Sequence, residues 1–441
     1  MKLSSSKNWL VLFTSVFVCL GVQAADFLIH DGERVVFLGD SITEQRLYTT
    51  YIEAYAVTRH PGWKLWFRNV GWGGDTSWLR QRSHPDEAKL FAAEPAAQQA
   101  MVDQAVGQGL KRDVLPLKPT FVTVKFGMND HSYQPFREDI FRAYVSSQTQ
   151  IAKVLKANGA RVAFLTPQPI EDKRPDPDKD PRNQSLRKFS DGLREVAAKE
   201  GETFVDQFDP YMSILLRERP THADSMVGGG DAVHPGPIGH TVMAWAVLKG
   251  LGASAQVSRV RLDCSAHKLS QAEGCRVENV KITERAISFD RTDEALPMPI
   301  DERAEAALKL APVLTDLSAY ELQVDGLPAG SYALTIDGEA ADKISAEDLA
   351  KGCNLSVKAG PITKQAREVL AAVFHKNNLY FDRWRTVQLY TFPDWAKGAT
   401  AEGIRSTELA RLDQAIAEEE AKIESLRQPK VHHFELKPAD Q

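Results

Sequence analysis

RVVFLGDSIT, residues 34–43, joins an apolar run to a Gly-Asp-Ser turn. Arg34 to Leu38 is apolar and β-branched enough for a buried strand, and a segment with helical spacing, Glu44 to Arg59, follows the turn. Ser41 therefore belongs at a strand-to-helix turn, beside a helix N-terminus whose unpaired backbone N–H groups and dipole favour developing negative charge. A serine at such a turn is also an ordinary helix cap, so this stretch alone leaves both readings open.

Outward from it, four more short β-rich runs alternate with helical segments: Lys64 to Val70, Thr120 to Phe126, Arg161 to Thr166 and Thr203 to Asp206. Phe136 to Ala157 carries Ile140, Tyr144, Ile151 and Leu155 at helical spacing, Gln184 to Glu200 reads the same way, and Pro237 to Leu251 closes the series. The alternation predicts an α/β fold, a parallel sheet sandwiched by helices. Trp78 to Pro119 is long for one connection and is read as a crossover helix in preference to a lid. The proline- and charge-rich stretch Thr166 to Pro181 is read as a solvated loop at the carboxyl end of a strand, where ligands bind in such sheets.

Three further turns share the placement of Ser41. Asn69-Val70-Gly71-Trp72-Gly73-Gly74-Asp75-Thr76 follows the second run, and its glycines allow a tight turn with a backbone N–H turned to a ligand. Gly127-Met128-Asn129-Asp130 leaves the third run and delivers an Asn amide to the same sheet edge. Asp231-Ala232-Val233-His234-Pro235 precedes the closing helix, and its spacing lets Asp231 accept from one imidazole nitrogen while the other faces Ser41. A tight loop, a turn-forming Asn and a chance Asp/His pair are the bland readings of these turns taken singly. The four turns occur in the order Ser, Gly, Asn, Asp-His, and the first three directly follow strand-like runs, which makes them one constellation.

The four blocks resemble those of the SGNH/GDSL hydrolase family, whose named positions fall here on Ser41, Gly74, Asn129 and His234. The likeness runs from about Phe27 to Leu251 and implies a flavodoxin-like sheet and ester hydrolysis with no metal or other cofactor. It implies Ser41 as nucleophile, His234 as base oriented by Asp231, and an oxyanion hole of the Ser41 and Gly74 amides with the Asn129 side chain. Trp72, Met128 and Asp130 are the expected substrate contacts, Trp72 by stacking on a sugar ring or, on the alternative reading, by core packing. The expected substrate is a small or glycan ester, most simply a short acyl ester of a carbohydrate. Acyl transfer, a lipase-type esterase on the same site and a non-catalytic carbohydrate-binding protein are the alternatives.

Beyond Leu251 the texture changes. Val257 to Asp263, Ala286 to Asp290 and Tyr320 to Ile336 read as strands, the last broken at Gly326 to Gly330 as a hairpin would be. Helical patterning returns from Ile362, and Leu409, Leu412, Ile416, Ile423 and Leu426 form a stripe read as packing on its own chain in preference to a coiled coil between subunits. Tyr380 to Arg385, dense in aromatics and arginine, is read as an anchor for those helices and not as a binding surface.

The 441-residue chain is 43% hydrophobic, enough for more than one domain. Its formal charge of −5 argues against nucleic acid as partner. Lys2 and Lys7, an apolar run from Trp9 to Val22 and the exit Val22-Gln23-Ala24 predict a signal peptide cleaved after Ala24, a secreted or periplasmic protein and no stable membrane span. The expected division is a leader over 1–24, a hydrolase domain over 25–255, a β-rich unit over 256–360 and a helical region over 361–441. Nothing in the sequence fixes the oligomeric state. Cys264, Cys275 and Cys353 leave two readings, one disulfide between the first two or three buried thiols, and His222, His240, His432 and His433 show no metal-ligand grouping.

Overall fold

The computed structural model describes residues 26–283 and 286–439; the expected leader lies outside them. Five strands, β1 (Arg34–Gly39), β2 (Trp66–Asn69), β3 (Phe121–Lys125), β4 (Arg161–Leu165) and β5 (Thr203–Val205), form one sheet in the order β2-β1-β3-β4-β5. Every pairing in it is parallel, with Val35 opposite Phe67 on one side and Gly39 opposite Lys125 on the other. Helix layers cover both faces of the sheet, so the strands place apolar side chains on either side of it. Val35 and Phe37 feed the layer containing Ile52 and Val247 of the helices Leu47–Arg59 and Pro237–Gly250. Val36 and Leu38 feed the opposite layer, with Val106, Ile151 and Leu193 of the helices Pro95–Asp113, Glu138–Ala157 and Pro181–Glu200. The result is the flavodoxin-like α/β sandwich, with the strand order reversing between β1 and β3, at whose carboxyl ends ligands bind in such sheets.

The segment after Trp78 is a crossover: Pro95–Asp113 lays Val102, Val106 and Leu110 into the second layer. The stretch Thr166 to Pro181 departs from the expected solvated loop. Its first half, Thr166 to Glu171, is buried, and solvent reaches mainly Asp172 to Asp176. Prolines exclude regular structure there but not burial, because side-chain amides and carboxylates satisfy the local backbone.

Nine further strands build two smaller sheets. They are β6 (Gln256–Asp263), β7 (Lys268–Glu273), β8 (Cys275–Ile282), β9 (Ile287–Asp293), β10 (Ala319–Asp325), β11 (Ser331–Ile336), β12 (Glu339–Ser345), β13 (Cys353–Asn354) and β14 (Val431–Pro438). Their orders are β13-β10-β6-β7 and β12-β11-β14-β9-β8. Two expectations are corrected here. Gly326 to Gly330 closes no hairpin, because β10 and β11 belong to different sheets. The region 361–441 is not wholly helical: β14 inserts between β11 and β9, turning His432, Phe434 and Leu436 inward, with Phe434 stacked on Phe289 at 5.1 Å.

The helix Ala399–Leu426 packs on Pro361–Phe381 of the same chain and buries Leu412, Ile416 and Ile423. Tyr380 and Trp384 are buried, so the aromatic Tyr380 to Arg385 stretch is an anchor. Cys264, Cys275 and Cys353 are free and partly buried. Among the described residues no helix is long and apolar enough to cross a membrane.

Candidate active site

Backbone geometry at the end of β1 places the serine. Asp40 is fully buried and its Oδ1 accepts the Ile42 N–H at 3.0 Å, capping a short helix, Ser41–Glu44, so that Ser41 occupies the first helical position. Ser41 Oγ lies 2.9 Å from His234 Nε2, joining positions 193 residues apart. His234 Nδ1 lies 3.2 Å from Asp231 Oδ2. A carboxylate on Nδ1 keeps the proton there and leaves Nε2 as acceptor for the serine hydroxyl. The other Asp231 oxygen accepts the Val233 and His234 N–H groups, both at 2.8 Å. Burial pulls the Asp231 pKa upward, but these hydrogen bonds and the imidazole outweigh it and hold the carboxyl below its usual range.

The glycine-rich turn is fastened on both sides. Trp72 N–H donates to Gly39 C=O at 3.0 Å and Gly73 N–H to Glu44 Oε2 at 2.9 Å, while Gly74 turns the chain with φ +74°. Beneath it Arg82, wholly buried, donates to Asp75 at 2.8 Å, to Asp113 at 3.0 Å and to the Val70 carbonyl at 2.5 Å. Asn129 Nδ2 donates to the Asp75 carbonyl at 2.9 Å, tying the third block to the second, and Asn129 Oδ1 accepts the Tyr133 hydroxyl at 2.8 Å. The four sequence blocks thus converge on the carboxyl edge of the sheet.

Of the three expected substrate contacts, Met128 and Asp130 are buried in the protein and Trp72 is half-buried. Met128 is fully buried in the apolar core. Asp130 is fully buried as well; its carboxylate accepts from Ser77 N–H at 2.9 Å and Gly127 N–H at 3.0 Å, clamping two loops together. Burial pushes its pKa up to about 7. Trp72 is held by the protein itself: the Arg385 guanidinium lies 3.9 Å from its ring centre, those of Arg112 and Arg82 at 5.1 and 5.4 Å, and Trp384 meets it edge-on at 5.9 Å.

Several supporting residues carried no recognisable signal in the sequence. Lys125, fully buried at the end of β3, donates to Gln168 Oε1 at 2.8 Å, and Gln168 Nε2 donates to the Val233 carbonyl at 2.9 Å, just before His234. Burial raises the Asp40 pKa and lowers that of Lys125, and each opposes the other's shift as its neighbouring opposite charge. Glu171 accepts the Val227 and Gly228 N–H groups of the loop leading to Asp231. A lysine flanked by Val124 and Phe126 in a buried strand was the one available hint. His240 is a buried structural residue: it accepts the Tyr48 N–H at Nδ1 (3.2 Å) and so donates from Nε2 to Gln45 Oε1 (2.8 Å).

A Ser-His-Asp chain at the switch point of a flavodoxin-like sheet is the architecture of a serine hydrolase. Residues 37–242 match the model of the GDSL-like lipase/acylhydrolase family; the chain carries a domain of that family and is an ester hydrolase. No curated protein matches the chain. Among solved structures, a gut microbial diltiazem-metabolizing enzyme is similar in fold, with a TM-score of 0.75 at 24% identity, covering 93% of this chain and 98% of its own. An acetylxylan esterase from Geobacillus stearothermophilus gives a TM-score of 0.39 at 21% identity, covering 51% of this chain and 96% of its own. An alpha/beta hydrolase from the metagenome of Lake Arreo, Spain, gives the same TM-score, 0.39, over 51% of this chain.

Proposed function

We propose that the enzyme hydrolyses short acyl esters, acetyl above all, of a polyhydroxylated alcohol such as a carbohydrate, and that it does so outside the cytoplasm after loss of the leader at Ala24. The observation that carries the catalytic reading is the 2.9 Å contact between Ser41 Oγ and His234 Nε2, continued to Asp231 at 3.2 Å. A neutral hydroxyl is a weak nucleophile, so His234 takes the Ser41 proton as Oγ bonds to the acyl carbon. The Ser41 and Gly74 N–H groups and the second Asn129 N–H receive the oxyanion. Collapse breaks the ester C–O bond, and the alcohol leaves with the proton from His234. Water, deprotonated by the same imidazole, then attacks the acyl-serine and releases the acid.

The polar setting of the glycine turn favours a polar alcohol over a long acyl chain. Glu44 binds Gly73, Arg80 Nε donates to the Gly74 carbonyl at 2.6 Å, and the Gln81 amide stands against Gly74. Hydrolysis of aryl acetate by wild type and its loss in Ser41→Ala tests the nucleophile; near-normal turnover by the variant defeats it. A series of aryl esters of graded chain length, beside acetylated oligosaccharides, tests the substrate class: turnover restricted to long chains rejects it. The N-terminal sequence of the exported protein, expected to begin at Ala25, tests the leader.

A further inference from the structure

We propose that Tyr133 is a positioning residue that holds the Asn129 amide, with its nitrogen end set by the Asp75 carbonyl, in place toward the reacting carbonyl; this rests on Asn129 being an oxyanion donor. A carboxamide is nearly symmetric in shape, and a half-turn about its last bond exchanges a hydrogen-bond donor for an acceptor. Turned the wrong way, Asn129 would present an oxygen to the oxyanion and repel it. One contact sets the sense of the amide and a second holds it there. The Asp75 carbonyl, which only accepts, holds Nδ2 at 2.9 Å, and the Tyr133 hydroxyl donates to Oδ1 at 2.8 Å. The first uses one of the two N–H bonds and leaves the other for substrate; the second ties the oxygen away from it.

The backbone is shaped to bring that hydroxyl back. Ser132 and Tyr133 both adopt left-handed conformations, φ +55° and +56°, which side chains with a Cβ disfavour. The turn is stapled by Ser132 N–H to the Asn129 carbonyl at 3.1 Å, and the buried His131 ring packs 5.2 Å from the Tyr133 ring. Tyr133 is 40% exposed, so core packing does not explain the residue. Burial, followed by the nearby Asp40 carboxylate, pushes its pKa up to about 12, which keeps the hydroxyl protonated as a donor.

The test is a double-mutant cycle in the full chain with aryl acetate as substrate: Tyr133→Phe, Asn129→Ala and both together, with kcat, KM and Tm measured for each. Removing an oxyanion donor should lower kcat about a hundredfold in Asn129→Ala. Tyr133→Phe should lower kcat about five- to twentyfold, with KM and Tm nearly unchanged, because it loses one orienting hydrogen bond. The double variant should be no slower than Asn129→Ala, since Tyr133 has nothing left to orient. Near-normal kcat in Asn129→Ala removes the oxyanion reading and this inference with it. A large loss in Asn129→Ala beside wild-type kcat in Tyr133→Phe overturns the inference alone. So does an undiminished Tyr133→Phe effect in the Asn129→Ala background, which would mean that the hydroxyl acts on the substrate or elsewhere.

Discussion

The Arg385 guanidinium lies 3.9 Å from the centre of the Trp72 ring, so a side chain from the last quarter of the chain rests on the turn that carries Gly74. Arg385 Nε also reaches Glu44 Oε1 at 3.4 Å, and the other oxygen of Glu44 accepts the Gly73 N–H at 2.9 Å. This links a seven-residue π-helical stretch, Asp382–Gln388, to both the Ser41–Glu44 helix and the glycine turn. Loss of a cation–π contact of about 1 kcal/mol predicts that Arg385→Ala lowers kcat about fivefold, with partial recovery in Arg385→Lys, which keeps the charge but not the planar stack. Aryl acetate kinetics on the three proteins check it; equal kcat in all three contradicts the link.

The same junction is sealed by a buried cluster. Lys376 Nζ donates to Glu53 Oε1, and Asn377 Nδ2 donates to Glu53 Oε2 and Thr50 Oγ1, each at 3.0 Å. Lys376→Met strands a buried carboxylate and should cost about 3–5 kcal/mol, whereas Glu53→Met with Lys376→Met should recover most of it. Denaturant titration distinguishes these outcomes; a cost below 1 kcal/mol, on the order of a surface pair, would show that the junction contributes little.

Two glycines of the turn should fail differently. A Cβ at Gly71 would stand 2.3 Å from Glu44 N and 2.6 Å from Thr43 C, both backbone atoms of the Ser41–Glu44 helix, so Gly71→Ala must displace that helix. At Gly74 the nearest atom is Gln81 Nε2 at 3.1 Å, a mobile side-chain end, and the penalty is mainly the left-handed φ of +74°. Gly71→Ala should therefore reduce Tm sharply, while Gly74→Ala should cost about 1–2 kcal/mol in stability and more in kcat than in Tm. Thermal melts beside kinetics decide between them.

Asp231 is expected to matter less than its counterpart in a buried triad. Its side chain is 67% exposed, so water replaces part of its effect on His234. Asp231→Asn should lower kcat about ten- to a hundredfold, short of the ~10⁴ typical where the carboxylate is sealed from solvent. A drop as large as that of Ser41→Ala would contradict this expectation.

Asp130 gives the fold a pH dependence. Its pKa is about 7 in the folded chain, against about 3.9 when unfolded. A carboxyl that binds its proton more tightly when folded stabilises the fold fully below the unfolded pKa, and that contribution is lost as pH rises through the folded one. Asp130→Asn does not titrate there, so its Tm deficit relative to wild type should shrink between about pH 5 and about pH 8. A constant deficit across that range would contradict the assignment.

Three of the four blocks were legible because they sit where apolar runs end and the fourth by its Asp-to-His spacing before the closing helix, and the fold class followed from the same runs. Ser41, Asn129, Asp231 and His234 therefore had chemical meaning before any contact was known. Met128 and Asp130 misled because adjacency in sequence does not give direction: both flank Asn129 and both are fully buried. β14 was invisible as a sheet member because its partners, β9 and β11, are far away in sequence, and the alternation of His432, Phe434 and Leu436 gains its meaning only from them.

By itself the sequence determined the parallel sheet and the chemical groups at its edge, since hydrophobic periodicity and turn chemistry are local properties. Tertiary structure alone decided what holds those groups in place: Lys125 and Gln168 behind His234, Tyr133 on Asn129, and Arg385 on Trp72. The physical reason is that orientation of a polar side chain depends on partners brought together by folding, whose long-range pairing leaves no period in the chain.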